Sequence, residues 1–480
     1  MNLDEYAGYD ALGLAELVRR GEVKPRELCE LAIAAIRKVN PEINAVLDVY
    51  EDVLERVDRE PPRGRFAGVP FALKDIGCCE KGRPYECGSR LLKGNVAEYD
   101  TDLFVRFRKA GLVNLGRTAC PEYGSAMTTE SILNGATCNP WNPEHIAGGS
   151  SGGAGAIVAA GALPIAHAND GAGSTRIPAS CNGLVGLKAS RGRVPQGPAI
   201  SELIGFLYSE HVVSRSVRDT AALLDEVHGP AVGEAFEIAP PERPYLDELG
   251  RPATPLRIGL CAGAWGRWRP TPDVAAGVEA TAKLCESLGH RVTEVEAPLD
   301  VEALLLAGLK PIWMALVASD VDYWAQTLGR PIDDTTVEPV ILAVYEYGMR
   351  LGAADWLRGI SLMSDASRSL GAFFGDYDLL LTPTLAEPPA RLGSYDMDRP
   401  GVDIDEYMEK SFGAIPYTPI ANCTGVPAIS LPLWQSKEGL PVGMHFMAPF
   451  GQEGRLLGLA GSLEDANPWI ERRPGIHVAR

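Results

Sequence analysis

The stretch AGGSSGGAGAIVAAGALPIAHANDGAGSTRIPAS, residues 147–180, decides how the rest of the chain is interpreted. It holds two glycine-rich serine clusters, 148–153 and 171–174, separated by an apolar segment. That segment predicts a short helix of small residues, 154–162, and then a buried strand, 163–168. Small residues on every flank let the backbone approach another group closely, and a substrate carbonyl is one such group.

Ser174 is predicted to lie just beyond the carboxyl end of this strand, where open α/β sheets place their ligand sites. The strand ends at Asp170, and Arg176 is near enough in sequence to pair with it and fix the turn. The glycines before Ser174 supply closely spaced backbone N–H groups, which suit an oxyanion hole for acyl transfer. The turn therefore predicts a serine nucleophile beside donors for a developing negative charge.

A serine nucleophile needs a base within hydrogen-bond reach. None of the seven histidines has an obvious catalytic context, and the turn 171–174 fits a G-x-S-x-G elbow poorly because its glycines lie before the serine and not after it. A lysine kept neutral by burial can serve instead, with a second serine carrying the proton. Lys74 ends a predicted strand, 66–76, and either reaches solvent or lies inside the protein. From the residues alone, Ser150 and Ser151 both stay open as the carrier, and Lys74 and Lys188 both stay open as the base.

The cluster GGSSGG by itself also suits a flexible linker or a phosphate-binding loop. A phosphate loop of the Walker type needs a lysine followed by serine or threonine, and neither follows here. A linker does not fit the apolar segment that comes directly after the cluster. The two serine clusters together therefore favour an enzyme active site.

Composition excludes several classes of protein. Lys and Arg number 45 against 63 Asp and Glu, so the formal net charge of −18 argues against a nucleic-acid partner. The ten cysteines form no C-x-x-C pair, which predicts reduced, buried thiols and no zinc site. The N-terminus is charged and helix-periodic, unlike a secretory signal, and the longest apolar run, 154–168, is too short to span a membrane. We expect a cytoplasmic protein with no membrane partner.

The rest of the chain alternates helical and strand patterns, which predicts an α/β protein. The proline- and acid-rich stretch 229–255 is expected to run over the surface and is the best, though weak, place for an internal boundary. The other main predicted elements are helices at 9–21, 25–39, 101–111, 216–227, 272–288, 301–327, 339–374 and 454–464, and strands at 112–116, 183–195, 256–260, 290–295, 379–381, 428–433 and 442–447.

At this point the sequence resembles the amidase signature family over nearly its whole length. The resemblance rests on the motifs GVPFALKD (68–75), GGSSGG (148–153), DGAGSTRIPAS (170–180), GLVGLKASRGRVP (183–195), LLTPT (380–384), GVPAISLP (425–432) and GLPVG (439–443). It implies a single domain, 1–480, with a three-layer α/β/α fold around a large mixed β-sheet. It implies no metal and no cofactor.

The resemblance also chooses among the open residues. It implies Ser174 as the acylating nucleophile, Ser150, after an unusual cis peptide that follows Gly149, as the proton carrier, and Lys74 as the base. An oxyanion hole would be formed by the N–H groups of Gly171, Ala172, Gly173 and Ser174, with Asp170 and Arg176 as structural support. Family members often have glycine where this chain has Ala172, whose methyl group either strains the backbone or narrows the pocket floor. We expect the rate to rise toward alkaline pH as Lys74 deprotonates.

The expected function is hydrolysis of small amides, with hydrophobic or aryl groups favoured by a pocket assigned to Trp313, Met314, Tyr417 and Phe446. The alternative is a carbamate or ester hydrolase, since the same acyl-enzyme could serve both. A subunit of the tRNA-dependent amidotransferase is disfavoured because the segment after Arg193 lacks the expected pattern. A catalytically inactive binding protein is disfavoured because Lys74, Ser150 and Ser174 are all present. The expected partner is a small-molecule substrate, with the chain a monomer or homodimer.

Overall fold

The computed structural model describes residues 1–200, 205–251 and 254–480. The strands are β1 (Val46–Val49), β2 (Pro70–Lys74), β3 (Val113–Thr118), β4 (Glu130–Ser131), β5 (Gly135–Ala136), β6 (Cys138–Asn139), β7 (Asn142–Ile146), β8 (Ile165–Asp170), β9 (Val185–Lys188), β10 (Ser209–Ser214), β11 (Arg257–Leu260), β12 (Arg291–Glu294), β13 (Leu379–Pro383), β14 (Ala428–Gln435) and β15 (Pro441–Met447). The helices are α1 (Leu3–Gly8), α2 (Ala11–Arg19), α3 (Pro25–Ile43), α4 (Val53–Arg59), α5 (Asp102–Ala110), α6 (Gly152–Ala159), α7 (Arg176–Asn182), α8 (Val217–Val227), α9 (Pro272–Ser287), α10 (Lys310–Leu328), α11 (Pro339–Gly348), α12 (Ala353–Asp376), α13 (Ile404–Ala414), α14 (Thr418–Thr424) and α15 (Glu453–Ala466).

A large mixed sheet of eight strands forms the centre, in the order β12-β11-β13-β15-β14-β9-β10-β8. Strands β12, β11 and β13 run parallel, and every later pairing is antiparallel. Hydrophobic side chains cover both faces of the sheet. Strand β13 shows this, because its successive residues pack into two different hydrophobic clusters. Leu379 and Leu381 pack into one hydrophobic cluster and Leu380 into the other. The α/β fold with a large mixed sheet, predicted from the sequence, is confirmed.

A smaller sheet, in the order β1-β3-β2, lies beside the edge strand β8. Its strand β2 is buried along its whole length, and Lys74 is its last residue. The Lys74 backbone N–H donates to Nδ1 of His167 on β8 at 3.2 Å. This contact brings the lysine at the end of one sheet next to the serine clusters that flank β8.

Most of the predicted elements are present with small shifts at their ends, including the two N-terminal helices and the strand before Asp170. Strand β10 is absent from the sequence prediction, because its first residues are Ser209, Glu210 and His211 and break the apolar pattern. These polar residues are nevertheless buried. The helical run predicted over 339–374 is two helices, α11 and α12, with a break between them.

The run Ala303–Leu328, a π-helical segment that continues as α10, is long and apolar enough to cross a membrane by composition. However, 61% of its most apolar window is buried inside the protein. Its apolar residues therefore belong to the core on one side of the large sheet. Of the predicted surface stretch 229–255, Pro252 and Ala253 lie outside the described residues, and most of the others are at least partly exposed.

Candidate active site

Lys74 and Ser150 meet in the interior. Lys74 is only 1% exposed, and its Nζ lies 2.6 Å from Ser150 Oγ. Ser150 follows a cis peptide bond with Gly149, just before α6 begins. A Cβ added at Gly149 would lie 2.4 Å from the Thr128 carbonyl oxygen, so only glycine fits against this loop. The end of β2 and the start of α6 thus bring an amine and a hydroxyl into direct contact.

The contacts also show which of the alternative serines and lysines left open by the sequence meet each other. Ser151 sits at the N-cap of α6, and its Oγ donates to the Asn169 carbonyl at 3.3 Å. The Nζ of Lys188 donates to the Ala189 carbonyl at 2.7 Å. The pair in contact is therefore Lys74 and Ser150.

Burial lowers the pKa of Lys74 to about 8, because the charged ammonium loses its hydration in the interior. The carboxylates of Glu210 and Asp170 act in the opposite direction and favour the charged form. The thiol of Cys120 also faces Lys74, but burial raises the pKa of that thiol far above neutrality, so it carries no charge at working pH. Lys74 thus exchanges a proton within the range in which enzymes operate.

A closed ring of hydrogen bonds holds the lysine. Lys74 Nζ donates to Asn169 Oδ1 at 2.6 Å, and Asn169 Nδ2 donates to Glu210 Oε1 at 3.4 Å. Glu210 Oε2 lies 2.7 Å from His167 Nε2. Because His167 Nδ1 accepts the Lys74 backbone N–H, the hydrogen of the neutral ring is assigned to Nε2 and points at Glu210. The ring fixes both the backbone and the amine of Lys74.

The turn before Ser174 is held by a buried ion pair. Arg176 Nη2 donates to Asp170 Oδ1 at 2.8 Å and Nε to Oδ2 at 2.9 Å, the pairing expected from the sequence. Asp170 also accepts from the Thr175 N–H, and the Asn422 side chain donates to the Asp170 carbonyl at 2.8 Å. The Arg176 guanidinium and several hydrogen bonds lower the pKa of Asp170, although burial acts against them. A charged carboxylate therefore sets the shape of the turn.

The backbone donors of the turn are not all free. The Gly173 N–H donates to Asp170 Oδ1 at 2.7 Å, so the expectation that all four N–H groups serve an oxyanion needs correction. Among the described residues, no partner is found for the N–H groups of Gly171, Ala172 and Ser174. Ala172 is not among the residues with positive φ, so its methyl group causes no backbone strain. Three backbone N–H groups of the turn are therefore without a partner among the described residues.

Two narrow cavities, of about 50 and 70 Å³, meet at Ser174. We call the first the apolar cavity; its walls include Met127, Ile177, Leu309, Met408, Phe412 and Ile415. We call the second the polar cavity; its walls include Ser150, Asn169, Tyr208, Glu210, Val317 and Asp320. Trp313 lies between them and borders both, with its Nε1 donating to Ser125 Oγ at 2.9 Å.

Of the four residues assigned to the pocket from the sequence, Trp313 borders these cavities. Met314, its neighbour on α10, is fully buried in the core, because adjacent helix residues point about 100° apart. Tyr417 is also fully buried, with its ring 5.7 Å from that of Trp265. Phe446 lies in the core beneath the large sheet. The pocket assignment is therefore corrected for Met314, Tyr417 and Phe446, none of which lines either cavity.

Sequence analysis did not single out His167, Asn169, Glu210 or Asp320 as site residues. For the first two a signal is present, because they are polar residues two apart in a buried strand and so share one face. Glu210 carries no such signal, since its strand was not predicted. Asp320 reads in the sequence as an ordinary polar position of a helix.

Comparisons with known proteins assign the chain to a family of enzymes. The amidase family model matches residues 27–457. The chain is 36% identical over 476 residues to the 6-aminohexanoate-cyclic-dimer hydrolase of Paenarthrobacter ureafaciens, covering 97% of this chain and 96% of the relative. The solved structure of a 6-aminohexanoate cyclic dimer hydrolase with substrate superposes with a TM-score of 0.93 at 34% identity, covering 98% of this chain and 99% of the other. A bacterial aryl acylamidase superposes with a TM-score of 0.85 at 25% identity, covering 97% and 99%.

The fold and the family match define the class of this protein as a hydrolase acting on carbon–nitrogen bonds. The chain belongs to the amidase signature family, as the sequence motifs predict.

Proposed function

We propose that this enzyme hydrolyses small, largely apolar amides through an acyl-enzyme on Ser174, with Ser150 as proton carrier and Lys74 as base. The observation that carries the proposal is the 2.6 Å contact between Lys74 Nζ and Ser150 Oγ, two side chains that are almost fully buried. A lysine whose pKa is lowered to about 8 has a neutral amine available to accept a proton.

In the first half-reaction, neutral Lys74 takes the Ser150 proton while Ser150 takes that of Ser174. The Ser174 oxygen forms a bond to the amide carbon, and the carbonyl oxygen becomes an oxyanion. The N–H groups of Gly171, Ala172 and Ser174 are the donors for this charge, and losing one such donor typically costs about 3 kcal/mol of transition-state stabilisation. The carbon–nitrogen bond then breaks, and the amine leaves with the proton returned through Ser150.

In the second half-reaction, water takes the place of the amine. The relay removes a proton from water, the hydroxide attacks the acyl-enzyme, and the proton returns to Ser174 as the carboxylic acid leaves. The atoms balance as one amide and one water consumed, and one acid and one amine formed. No group beyond those of the chain is needed for either step.

The walls support a substrate with an apolar acyl group. The apolar cavity reaches Ser174 without passing Ser150, and six of its side chains are hydrophobic: Met127, Ile177, Leu309, Met408, Phe412 and Ile415. The relatives include a 6-aminohexanoate-cyclic-dimer hydrolase and an aryl acylamidase, and both names indicate amide substrates. We infer small aliphatic and aryl acyl groups as the substrate class.

The test compares an anilide, an aliphatic amide and a carbamate with the same acyl group, using the enzyme and its Ser174→Ala variant. We expect the anilide and the aliphatic amide to be hydrolysed, and the variant to lose at least about a thousandfold in kcat. Mass spectrometry of the quenched enzyme should find the acyl group on the peptide that contains Ser174. Ser151→Ala is the matched control, because that hydroxyl contacts the Asn169 carbonyl and not Lys74.

Undiminished hydrolysis by Ser174→Ala would refute the assignment of the nucleophile. Turnover of the carbamate with neither amide accepted would replace the amide hydrolase with a carbamate hydrolase. Acceptance of short primary amides alone would contradict the role of the apolar cavity.

A further inference from the structure

The two cavities at Ser174 differ in one respect that gives each a role. Ser150 lines the polar cavity and not the apolar cavity. In the proposed function, on which this inference rests, the departing amine receives its proton through Ser150. The amine must therefore leave on the side of the polar cavity, and the acyl group must occupy the apolar cavity.

Helix α10 forms one wall of the polar cavity with a single face. Trp313, Val317 and Asp320 are spaced by four and three residues, which places them along one side of the helix. Trp313 lies against the turn of the nucleophile, since a Cβ added at Gly171 would be 2.9 Å from its ring. Asp320 follows seven residues later, about 10 Å farther along the helix axis. The wall thus runs from the reacting centre to a carboxylate.

Asp320 is exposed to solvent at the far end of this wall. None of the described lysine, arginine or histidine residues forms an ion pair with its carboxylate. Surrounding walls raise its pKa to about 6 by removing part of its hydration, so it is ionised at the pH where Lys74 is neutral. The carboxylate can therefore pair with a cationic group of a ligand that enters the cavity.

Other polar groups face the same space. Tyr208 lines the cavity together with Asp320 and Glu210, and burial, followed by the charge of Asp320, raises the pKa of its phenol. Tyr123, only 6% exposed, also borders the cavity.

We propose that the polar cavity selects amides whose leaving amine carries a second, protonated amino group on a methylene chain, with Asp320 as the residue that binds the ammonium. The aromatic and aliphatic wall of Tyr208, Trp313 and Val317 would cover the methylenes. A leaving amine that ends in a carboxylate would instead meet the negative charges of Asp320 and Glu210. The substrate class is thus a monoacylated alkyl diamine.

The experiment uses butanoyl amides of three leaving amines of equal chain length: hexylamine, hexamethylenediamine and aminocaproate. The values of kcat/KM are measured from released butanoate at about pH 8.5, where alkylammonium groups remain charged. We expect the diamine amide to exceed the neutral amide by about tenfold, and the carboxylate-ended amide to be the poorest substrate. In Asp320→Asn the ratio of kcat/KM for the diamine amide to kcat/KM for the neutral amide should fall to about one.

Asp322→Asn is the matched control, because Asp322 lies on the same helix, hydrogen bonds to Gln326 and lines neither cavity. Asp320→Glu keeps the charge and should restore the preference, which guards against loss of folding as an explanation. Equal kcat/KM for the three amides, or an unchanged preference in Asp320→Asn, would overturn the inference and leave the amide hydrolase intact. Failure of the wild-type enzyme to hydrolyse any of the three would overturn the proposed function and this inference with it.

Discussion

The neutral fraction of Lys74 sets the expected pH dependence of this enzyme. With a pKa of about 8, about one tenth of the lysine is neutral at pH 7 and half at pH 8. A lysine at its ordinary value of 10.5 would be neutral in only about one molecule in 3,000 at pH 7. The kcat/KM should therefore rise about tenfold from pH 7 and level off above pH 9.

Glu210→Gln is the perturbation that tests this account. The Glu210 carboxylate favours the charged lysine, so removing its charge should move the rise in kcat/KM to lower pH by about one unit. A glutamine cannot accept both from the Asn169 amide and from the His167 ring, so one hydrogen bond of the ring is lost. We expect the plateau above the rise to fall by about fivefold, the equivalent of one ordinary hydrogen bond.

The assay is the initial rate of anilide hydrolysis in overlapping buffers of constant ionic strength, from about pH 6 to 10. Glu279→Gln, an exposed position on α9 far from the ring, is the matched control and should reproduce the wild-type profile. A flat wild-type profile, or a Glu210→Gln profile that rises at the wild-type pH, would refute the reasoning that Lys74 is the base and that Glu210 tunes it.

Four further variants test residues in the site or next to it. Asp170→Asn should lower the free energy of unfolding in chemical denaturation by about 3–5 kcal/mol, because the buried Arg176 guanidinium loses its carboxylate. Burial raises the pKa of Glu122 to about 8, so the native carboxyl keeps its proton where the unfolded one has lost it. The native state therefore loses stability as the pH rises from about 4.5 to 8. Glu122→Gln should weaken this loss, which a series of Tm values across pH will measure. Gly173→Ala should strongly lower the free energy of unfolding, because the φ of Gly173 is 134° and the added Cβ would lie 2.4 Å from a hydroxyl. Ala172→Gly should lower the free energy of unfolding, measured by chemical denaturation, by only about 0.5–1 kcal/mol.

Each of these variants has a control and a contrary result. Asp365→Asn, on the exposed side of α12, should leave stability nearly unchanged, and an equally small loss in Asp170→Asn would contradict the ion-pair argument. The Tm of Glu279→Gln should follow the wild type across pH, and a Glu122→Gln curve parallel to both would exclude a buried, protonated carboxyl. Similar losses in Gly173→Ala and Ala172→Gly would show that the turn tolerates a Cβ at either position.

The pocket shows where prediction from sequence reaches its limit. Trp313 and Met314 are adjacent and similarly apolar, yet one borders both cavities and the other is in the core. Only the rotation of α10 about its axis, relative to the rest of the protein, distinguishes the two positions. The hydrophobicity of the two residues does not reveal that rotation. The same holds for Asp320, whose place in the cavity depends on which face of α10 turns toward Ser174.

The sequence alone determined the serine turn after a buried strand, the Asp170–Arg176 pair that shapes it and the α/β class of the fold. These follow from residues close together in the chain, where periodicity and short-range geometry apply. Local patterns left open which lysine touches which serine, because Lys74 and Ser150 are 76 residues apart. The family resemblance implied this pair, and the tertiary structure places the two side chains in contact. It likewise decided that Glu210, from an unpredicted strand, closes the ring around Lys74 and that Asp320 faces the polar cavity. Such contacts depend on how sheets and helices pack against each other, and the local pattern of residues carries no record of that packing.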